Sequence, residues 1–262
     1  ILVLVLASKS RLHRFVGTVL TESELNDALI FAAATLVILP LVPDRPMGPY
    51  GALNPRSIWL IVILIMAISA AGYIAVRMLG SRFGLPIAGL AAGFISSAAR
   101  IAAMGGRASR QNDLIAGAVA GAVLSTLATV VQMALVLAAT SPATLYALAA
   151  PIICAGLAAI VYGAIFTFLA LRQTAGTEAQ NGRAFSLSSA FVFAATLCVV
   201  LVASAFLQDQ FGAKGVVFAA AMAGFADTHS AAISVASLVA AGKLTAPDAI
   251  LPVLAGLSTN TV

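Results

Sequence analysis

Charged side chains are scarce in this chain. Only 9% of its 262 residues are Asp, Glu, Lys or Arg, whereas soluble domains carry about 25%. Hydrophobic residues make up 61%, and the mean hydropathy is +1.07. This composition excludes a soluble globular protein. Apolar stretches recur from end to end and predict an all-α fold, a polytopic transmembrane helical bundle.

Residues for catalysis and metal chelation are equally few. Cys154 and Cys198 lie in separate apolar stretches without CxxC spacing, so neither a disulfide nor a zinc site is indicated. The sequence contains no HExxH, GxSxG or Walker motif. We therefore predict no enzyme, and no cofactor apart from a bound cation. The net charge of +5 falls on short loops and span ends, where Lys and Arg meet lipid headgroups, and it does not indicate a nucleic-acid partner.

The apolar segments predict about eight membrane spans, the seventh of which carries residues suited to a break. They cover about 25–39, 58–79, 83–104, 114–139, 142–171, 187–207, 216–240 and 246 onward. Residues 1–24 are interpreted as the end of a preceding span plus an interfacial linker. The chain starts without Met in a short apolar run and stops inside an apolar segment, so we expect it to be truncated at both ends.

Several helix ends are marked in the sequence. Thr21 and Glu24 have the spacing of a capping box before the first span. Pro40 predicts the end of that span. Asn54 followed by Pro55 predicts the start of the second span, because Asn caps well and Pro fits the first helical position.

A weak internal repeat indicates a four-plus-four duplication, with residues 25–141 and 142–262 as the two membrane repeats. Anchors in the first repeat recur in the same order in the second: Phe83-Gly84 with Phe211-Gly212, Gly93-Phe94 with Gly224-Phe225, and Leu124-Ser125-Thr126 with Leu257-Ser258-Thr259. Four spans is an even number, so the repeats are expected to share one membrane orientation. A single re-entrant segment would overturn that parity.

The second repeat carries ionisable groups where the first repeat has none at the corresponding anchors. Asp227 is the only charged residue between Lys214 and Lys243, and a carboxylate at bilayer depth costs roughly 2.5–3.5 kcal/mol. With Gly224 before it, Asp227 suits a helix that opens locally. Unwound carbonyls and a carboxylate would bind a hard cation such as Mg²⁺, or would exchange protons. The alternative is a structural Asp227 that is hydrogen-bonded between helices.

The predicted cation or substrate site has Asp227 as its metal ligand and hydroxyl or amide groups around it. Its residues are Asp227, Thr228, Ser258, Thr259, Asn260, Ser96 and Ser97. On an unbroken helix His229 would point to another face, so we interpret it as a hydrogen-bonded interior or interfacial histidine and, second, as a group for proton coupling. Arg100 is either a counter-ion to Asp227 or a snorkelling residue at a helix end.

Small residues indicate close helix packing. Gly89 and Gly93 form one GxxxG pair, and Gly117 and Gly121 form another. We predict that the third and seventh segments pack together around Gly93 and Gly224 near the bilayer centre.

Several stretches resemble the C-terminal membrane region, domain of unknown function 4010, of bacterial MgtC/SapB-family proteins. They are Leu12–Val16, Leu20–Leu29, the Pro-rich Leu39–Pro55, Gly224–His229 and Leu257–Thr261. The resemblance implies a protein of the bacterial inner membrane, with an N-terminal MgtC-like part linked to magnesium homeostasis. The chain departs from the family pattern where Thr259 stands beside Asn260.

We expect a small-cation transporter or ion-homeostasis protein, with Mg²⁺ or a proton-coupled ion as its substrate. The alternative is a non-transporting regulatory or assembly subunit of another membrane complex. Expected partners are the lipid bilayer, a small cation, the N-terminal MgtC-like domain or other membrane subunits, and further copies of the chain. Lys and Arg are nearly balanced between alternate loops, so they do not determine the topology.

Overall fold

The computed structural model describes residues 21–79, 115–171 and 187–260. Within these ranges the chain is helical apart from its turns and one isolated bridge between Met47 and Leu53. The helices are α1 (Glu22–Ala33), α2 (Pro55–Leu79), α3 (Ile115–Thr140), α4 (Pro142–Ala147), α5 (Ala149–Leu171), α6 (Leu187–Gly224), α7 (Thr228–Ala240) and α8 (Ile250–Thr259).

Five of the helical stretches are long and apolar enough to cross a membrane. They are α1 with its continuation to Leu41, α2, α3, α5 and α6. The all-helical class is confirmed for the described residues, and the helices are compatible with an integral membrane protein. The count of about eight spans stays a prediction, because the third segment lies outside the described residues.

Helix α1 begins at the predicted capping box and ends in a distorted turn. The Glu24 backbone N–H donates to Thr21 Oγ1 at 3.3 Å, and the Thr21 N–H donates to Glu24 Oε2 at 2.7 Å. Past Ala33 the helix continues as a π-helical segment, Ala34–Ile38, and a final turn, Leu39–Leu41. The wide turn lies just before Pro40, whose ring crowds the preceding turn and which lacks a backbone N–H.

Helix α2 starts where the sequence predicts. Asn54 Oδ1 accepts from the backbone N–H groups of Arg56 at 3.1 Å and Ser57 at 3.2 Å. The indole of Trp59 donates to the Ala34 carbonyl at 2.9 Å and so joins α2 to the π-helical turn of α1. The Ala34 carbonyl also accepts from the Leu39 backbone N–H, so the indole adds a second hydrogen bond to it.

Helices α3 and α5 form an antiparallel hairpin. The predicted fifth segment is divided at Leu148, φ −93° and ψ 3°, into the short α4 and the long α5. Ser141 caps α4 by accepting from the Thr144 N–H at 3.3 Å. A Cβ added at Gly163 would lie 2.9 Å from Leu124 Cδ2, so the two helices meet closely at that glycine. Only 11% of the apolar stretch of α5 is buried, so its outer face is open to lipid.

The chain reverses direction within α6, at Gly212. Its dihedral angles, φ 59° and ψ −143°, are open to glycine and costly for other residues. A Cβ at Gly215 would clash with the Leu207 carbonyl oxygen. Residues eight apart along a straight helix are about 12 Å apart, so this contact requires the chain to fold back. Helix α6 is therefore two antiparallel arms, residues 187–211 and 213–224.

Helix α7 turns back again and runs alongside the first arm. Ser204 Oγ donates to Ser234 Oγ at 3.1 Å, and the Gln208 side chain contacts the Lys243 carbonyl oxygen. Val200 shares a buried cluster with Ala231. Residues 200, 204 and 208 of the first arm therefore contact residues 231, 234 and 243, in the same order along the chain. Helix α7 is thus parallel to the first arm and antiparallel to the second.

Residues 213–240 consequently form a helical hairpin, which we name the re-entrant hairpin. Its arms are about 18 Å and 20 Å long at 1.5 Å per residue, whereas a hydrocarbon core is about 30 Å thick. Neither arm is long enough to cross by itself, and the hairpin as a whole begins and ends at the same end of the bundle. The break suspected in the seventh segment is present, and this geometry favours a re-entrant hairpin over a single crossing of 216–240.

The re-entrant hairpin affects the expectation that the two repeats share one membrane orientation. The same orientation was expected from four full crossings in each half, and a re-entrant hairpin is not a full crossing. The four-plus-four duplication stays a prediction. Its anchors at Phe83 and Gly93 lie outside the described residues.

Helix α7 is the most enclosed of the helices described. Thr228, Ser230 and nearly all following residues to Leu238 are buried. Ala232 and Val235 pack in one cluster with Met133 of α3 and Val253 of α8. The N-terminus of α7 is thus held in the interior of the bundle.

Candidate functional site

The tip of the re-entrant hairpin is a three-residue connection between two helix ends. The second arm of α6 ends at Gly224, and the backbone N–H groups of Ala226 and Asp227 both donate to the Ala223 carbonyl at 2.9 Å. Asp227 has extended backbone angles, φ −164° and ψ 125°, and α7 begins at the next residue. The charged residue that the sequence singles out therefore lies at the helix break.

Asp227 caps helix α7. One carboxylate oxygen, Oδ2, accepts from the Ser230 backbone N–H at 2.6 Å. The other, Oδ1, lies 3.4 Å from His229 Nδ1. A carboxylate at a helix N-terminus satisfies a backbone donor and complements the positive end of the helix dipole. The side chain is 28% exposed, so the carboxylate is engaged by the helix but is not sealed.

His229 lies beside Asp227, contrary to the interpretation that placed it on another face. That interpretation assumed an unbroken helix, and the break at Asp227 changes the direction of the chain between the two residues. The His229 side chain is 15% exposed, and its second ring nitrogen, Nε2, is buried with no hydrogen-bond partner among the described residues.

Helix α8 reaches the same tip. A Cβ at Gly224 would clash with the Gly256 carbonyl and with Thr259 Oγ1. Thr259 Oγ1 donates to the Ala221 carbonyl at 2.8 Å, which ties the end of α8 to the second arm of α6. The eighth segment thus packs on the seventh. Gly93, the other expected neighbour of Gly224, lies outside the described residues.

The remaining predicted residues of α8 take different positions. Ser258 is exposed and donates to the Leu254 carbonyl at 2.8 Å. Asn260 is half-buried, and its backbone N–H donates to the Gly256 carbonyl at 3.3 Å. Thr259 is thus the α8 residue whose contact with the hairpin is defined.

Three helix ends meet at the tip. The second arm of α6 and helix α8 both end there, and α7 begins there. The last carbonyls of a helix carry partial negative charge, and the first N–H groups carry partial positive charge. The tip therefore offers backbone groups of both signs beside one carboxylate.

Unpaired buried polar atoms concentrate at this place. Four buried side-chain polar atoms have no hydrogen-bond partner among the described residues: Ser125 Oγ, Thr228 Oγ1, His229 Nε2 and Ser230 Oγ. Three of the four belong to the first turn of α7. A buried polar group left unpaired costs about 1–3 kcal/mol, so their concentration in one turn distinguishes it from the rest of the described interior.

Sequence reasoning missed some of these residues. Ser230 was not selected, and Ser125 was noticed only as a repeat anchor. The signal was a hydroxyl group within an apolar helix, but such hydroxyls commonly bond to their own backbone. Asp27 of α1, also not selected, is a buried carboxylate, 6% exposed.

The donor set limits the kind of metal that could bind. Within the described ranges, no three His, Cys, Asp or Glu side chains lie close enough to hold a metal ion. A cation at Asp227 would have to be bound by one carboxylate together with hydroxyl and carbonyl oxygens, which hard cations prefer. Zinc and copper, which favour imidazole and thiolate ligands, fit this set poorly.

Several predicted residues are not placed by the described structure. Ser96, Ser97, Gly89, Gly93 and Arg100 lie outside it. Gly117 and Gly121 both lie on α3, and Gly121 is buried.

Residues 63–262 match the protein family described as a domain of unknown function (DUF4010). The chain belongs to this family. The DUF4010 match extends from within α2 to the end of the chain and includes the whole re-entrant hairpin and α8. The Pro-rich stretch Leu39–Pro55 precedes the matched range. No curated protein and no solved structure compared with the chain matches it.

Proposed function

We propose that the chain belongs to a multi-pass protein of the bacterial inner membrane that transports a small cation or maintains its concentration. The substrate is Mg²⁺ or a proton-coupled ion, and it passes the tip of the re-entrant hairpin at Asp227. This proposal includes the MgtC/SapB affiliation, an N-terminal MgtC-like membrane domain as partner, and assembly with further copies of the chain. It includes no enzymatic activity.

One observation carries the proposal. A carboxylate lies at the break between two half-length helices, inside a chain that has few charges. Broken helices whose ends line a polar site are how transporters bring backbone groups to bilayer depth. A hydrogen-bonded scaffold would not need two half-helices to place one carboxylate.

A second candidate is a non-transporting regulatory or assembly subunit. The observation favouring it is that Asp227 already serves as the N-cap of α7, which gives the carboxylate a structural role. The open face of α5 would then contact another membrane protein. The two candidates differ in whether the charge of Asp227 is needed for ion movement.

Asp227→Asn tests the charge directly. Asn is as good an N-cap as Asp, so the variant should fold and melt near the wild-type temperature. Flux is measured in proteoliposomes with each of a panel of cations in turn. Wild type should conduct at least one of these cations, and Asp227→Asn should lose nearly all of that flux.

Asp209→Asn provides the matched control, since Asp209 is exposed on α6 away from the tip. It should retain wild-type flux. If correctly inserted wild type conducts none of the cations, the subunit role is favoured instead. If wild type conducts and Asp227→Asn conducts equally well, the ion does not depend on the charge of Asp227, and the proposed site is wrong. A loss of about 3–5 kcal/mol in Asp227→Asn would mark Asp227 as half of a buried ion pair.

A further inference from the structure

The sequence anchors match the helices of one membrane repeat with those of the other. Helix α2 precedes Phe83-Gly84, and the first arm of α6 leads into Phe211-Gly212. Leu124-Ser125-Thr126 begins in the third turn of α3, and Leu257-Ser258-Thr259 begins in the third turn of α8. Helix α2 therefore corresponds to the first arm of α6, and α3 corresponds to α8.

Two aromatic contacts give the direction of α2 relative to the first arm. The ring of Tyr50, in the loop before α2, lies 6.0 Å from that of Phe206, near the end of the arm. The ring of Trp59, in the second turn of α2, lies 6.3 Å from that of Phe191, near the start of the arm. Residue numbers that rise on the α2 side thus meet residue numbers that fall along the arm, so the two helices are antiparallel.

Helices α3 and α8 also run in opposite directions. Leu137, in the last turn of α3, and Leu148, after the short α4, share a buried cluster with Ala249, which directly precedes α8. The end of α3 therefore lies at the same end of the bundle as the start of α8. From there α8 runs inward to the tip, where Thr259 donates to the Ala221 carbonyl.

We propose that the two membrane repeats, residues 25–141 and 142–262, are inverted copies of each other, related by a pseudo-two-fold axis in the plane of the membrane. Copies of the same orientation would make each pair of corresponding helices parallel, and both pairs are antiparallel. The helices that open the repeats agree with them, because α1 runs toward the loop before α2 and α5 runs away from that end of the bundle. This arrangement differs from the shared orientation expected from four full crossings in each repeat.

The number of crossings accounts for the inversion. Helices α1, with its continuation, α2 and α3 are each long and apolar enough to cross. Lys243, in the connection before α8, donates to the Tyr50 carbonyl, so α2 begins at the end of the bundle where α3 ends. Residues 80–114 join the opposite ends of these two helices, so by any path they add an even number of crossings. The first repeat then has an odd number, and after an odd number the next copy starts from the other side.

The re-entrant hairpin lies at the boundary between the two repeats. Ile233 of α7 and Val136 of α3 belong to one buried cluster. Transporters built from inverted repeats bind their ion near the middle of the membrane at such a boundary, between the ends of broken helices. The inference thus deepens the proposed function, on which this last step rests, because it puts the Asp227 tip between two halves of opposite orientation.

Single-cysteine labelling tests the inversion in the membrane. In a background with both native cysteines replaced by alanine, an impermeant maleimide is applied to intact cells and to inverted membrane vesicles. Ser57→Cys and Ser188→Cys mark the starts of α2 and the first arm, and Ala116→Cys and Pro247→Cys mark the starts of α3 and α8. Within each pair the two cysteines should label from opposite sides, each with at least a tenfold preference. Ser57→Cys and Pro247→Cys should share one side.

Each variant should label fully once it is solubilised in detergent, which shows that its thiol can react. Labelling of both members of a pair from one side would mean that corresponding helices are parallel, and it would overturn the inference. If one variant does not insert, the other pair decides. Labelling does not depend on ion flux. Opposite sides in a protein that conducts no cation would therefore support the inversion and overturn only the proposed function.

Discussion

At the scale of single residues, two glycines determine how closely α6 and α8 approach each other at the tip. Gly224 ends one arm of the hairpin, and Gly256 lies opposite it on α8. A Cβ at Gly224 has no space, because backbone and the Thr259 hydroxyl occupy its position. Gly224, which marks the helix break in the sequence, is therefore also the residue at which α6 and α8 come into close backbone contact.

Gly224→Ala should destabilise the protein by about 1–3 kcal/mol, since the added methyl must displace packed backbone. The thermal unfolding temperature in detergent measures this. Gly156→Ala on α5 is the control, because its Cβ would lie at an ordinary 3.6 Å from Val130 Cγ1. The control should unfold within about 0.5 kcal/mol of wild type. Equal behaviour of the two variants would show that the tip can relax.

At the scale of elements, the reversal at Gly212 decides what α6 and α7 become. The sequence from 187 to 224 is apolar apart from residues 208–214, which separate the sixth and seventh predicted segments, and the helical stretch continues through them. A straight helix of 38 residues would be far longer than the roughly 20 needed to cross. One glycine with a conformation that other residues rarely adopt divides it into a full-length arm and a short one.

Gly212→Ala should cost about 1–3 kcal/mol from backbone strain alone, since no atom lies within 4 Å of the added Cβ. In a background with Cys154→Ala and Cys198→Ala, it should also reduce disulfide formation between Ser204→Cys and Ser234→Cys. Ala213→Ser, at the exposed neighbouring position, should keep both stability and cross-linking. Undiminished cross-linking in Gly212→Ala would mean that the hairpin does not depend on this glycine.

At the scale of the whole molecule, several connections gather at one end of the bundle, which we name the loop face. It contains residues 42–54, 141–148, 208–214 and 241–249. Lys243 Nζ donates to the Tyr50 carbonyl at 3.3 Å, and the Tyr50 ring lies 6.0 Å from that of Phe206. The Pro-rich loop therefore covers the end of the bundle where both arms of the re-entrant hairpin originate.

Impermeant thiol reagents should label Ala213→Cys and Ala241→Cys from the same side of the membrane in the cysteine-free background. Both positions are exposed on the loop face. Ser57→Cys should label with them, whereas Glu22→Cys, at the far end of α1, should label from the other side. Labelling of positions 213 and 241 from opposite sides would restore the single crossing predicted for 216–240.

Local features were the most predictable from sequence. The Thr21–Glu24 capping box and the Asn54 cap of α2 involve residues no more than three apart, so their geometry follows from short-range sterics and hydrogen bonding. The break before Asp227 was foreseen for a similar reason, because Gly224 lies three residues before it and suits a helix that opens locally. The place of His229 was not, since it depends on how the chain leaves that break.

Composition and short-range patterns by themselves determined the class of this protein. Few charges and long apolar stretches require helices whose backbone groups are paired internally, and this holds whatever the packing. Only the tertiary structure decided that residues 213–240 form two half-length arms instead of one span. Apolarity is the same for a helix that crosses and for one that turns back. The choice depends on the conformation of Gly212 and on contacts such as that between Ser204 and Ser234, residues thirty positions apart.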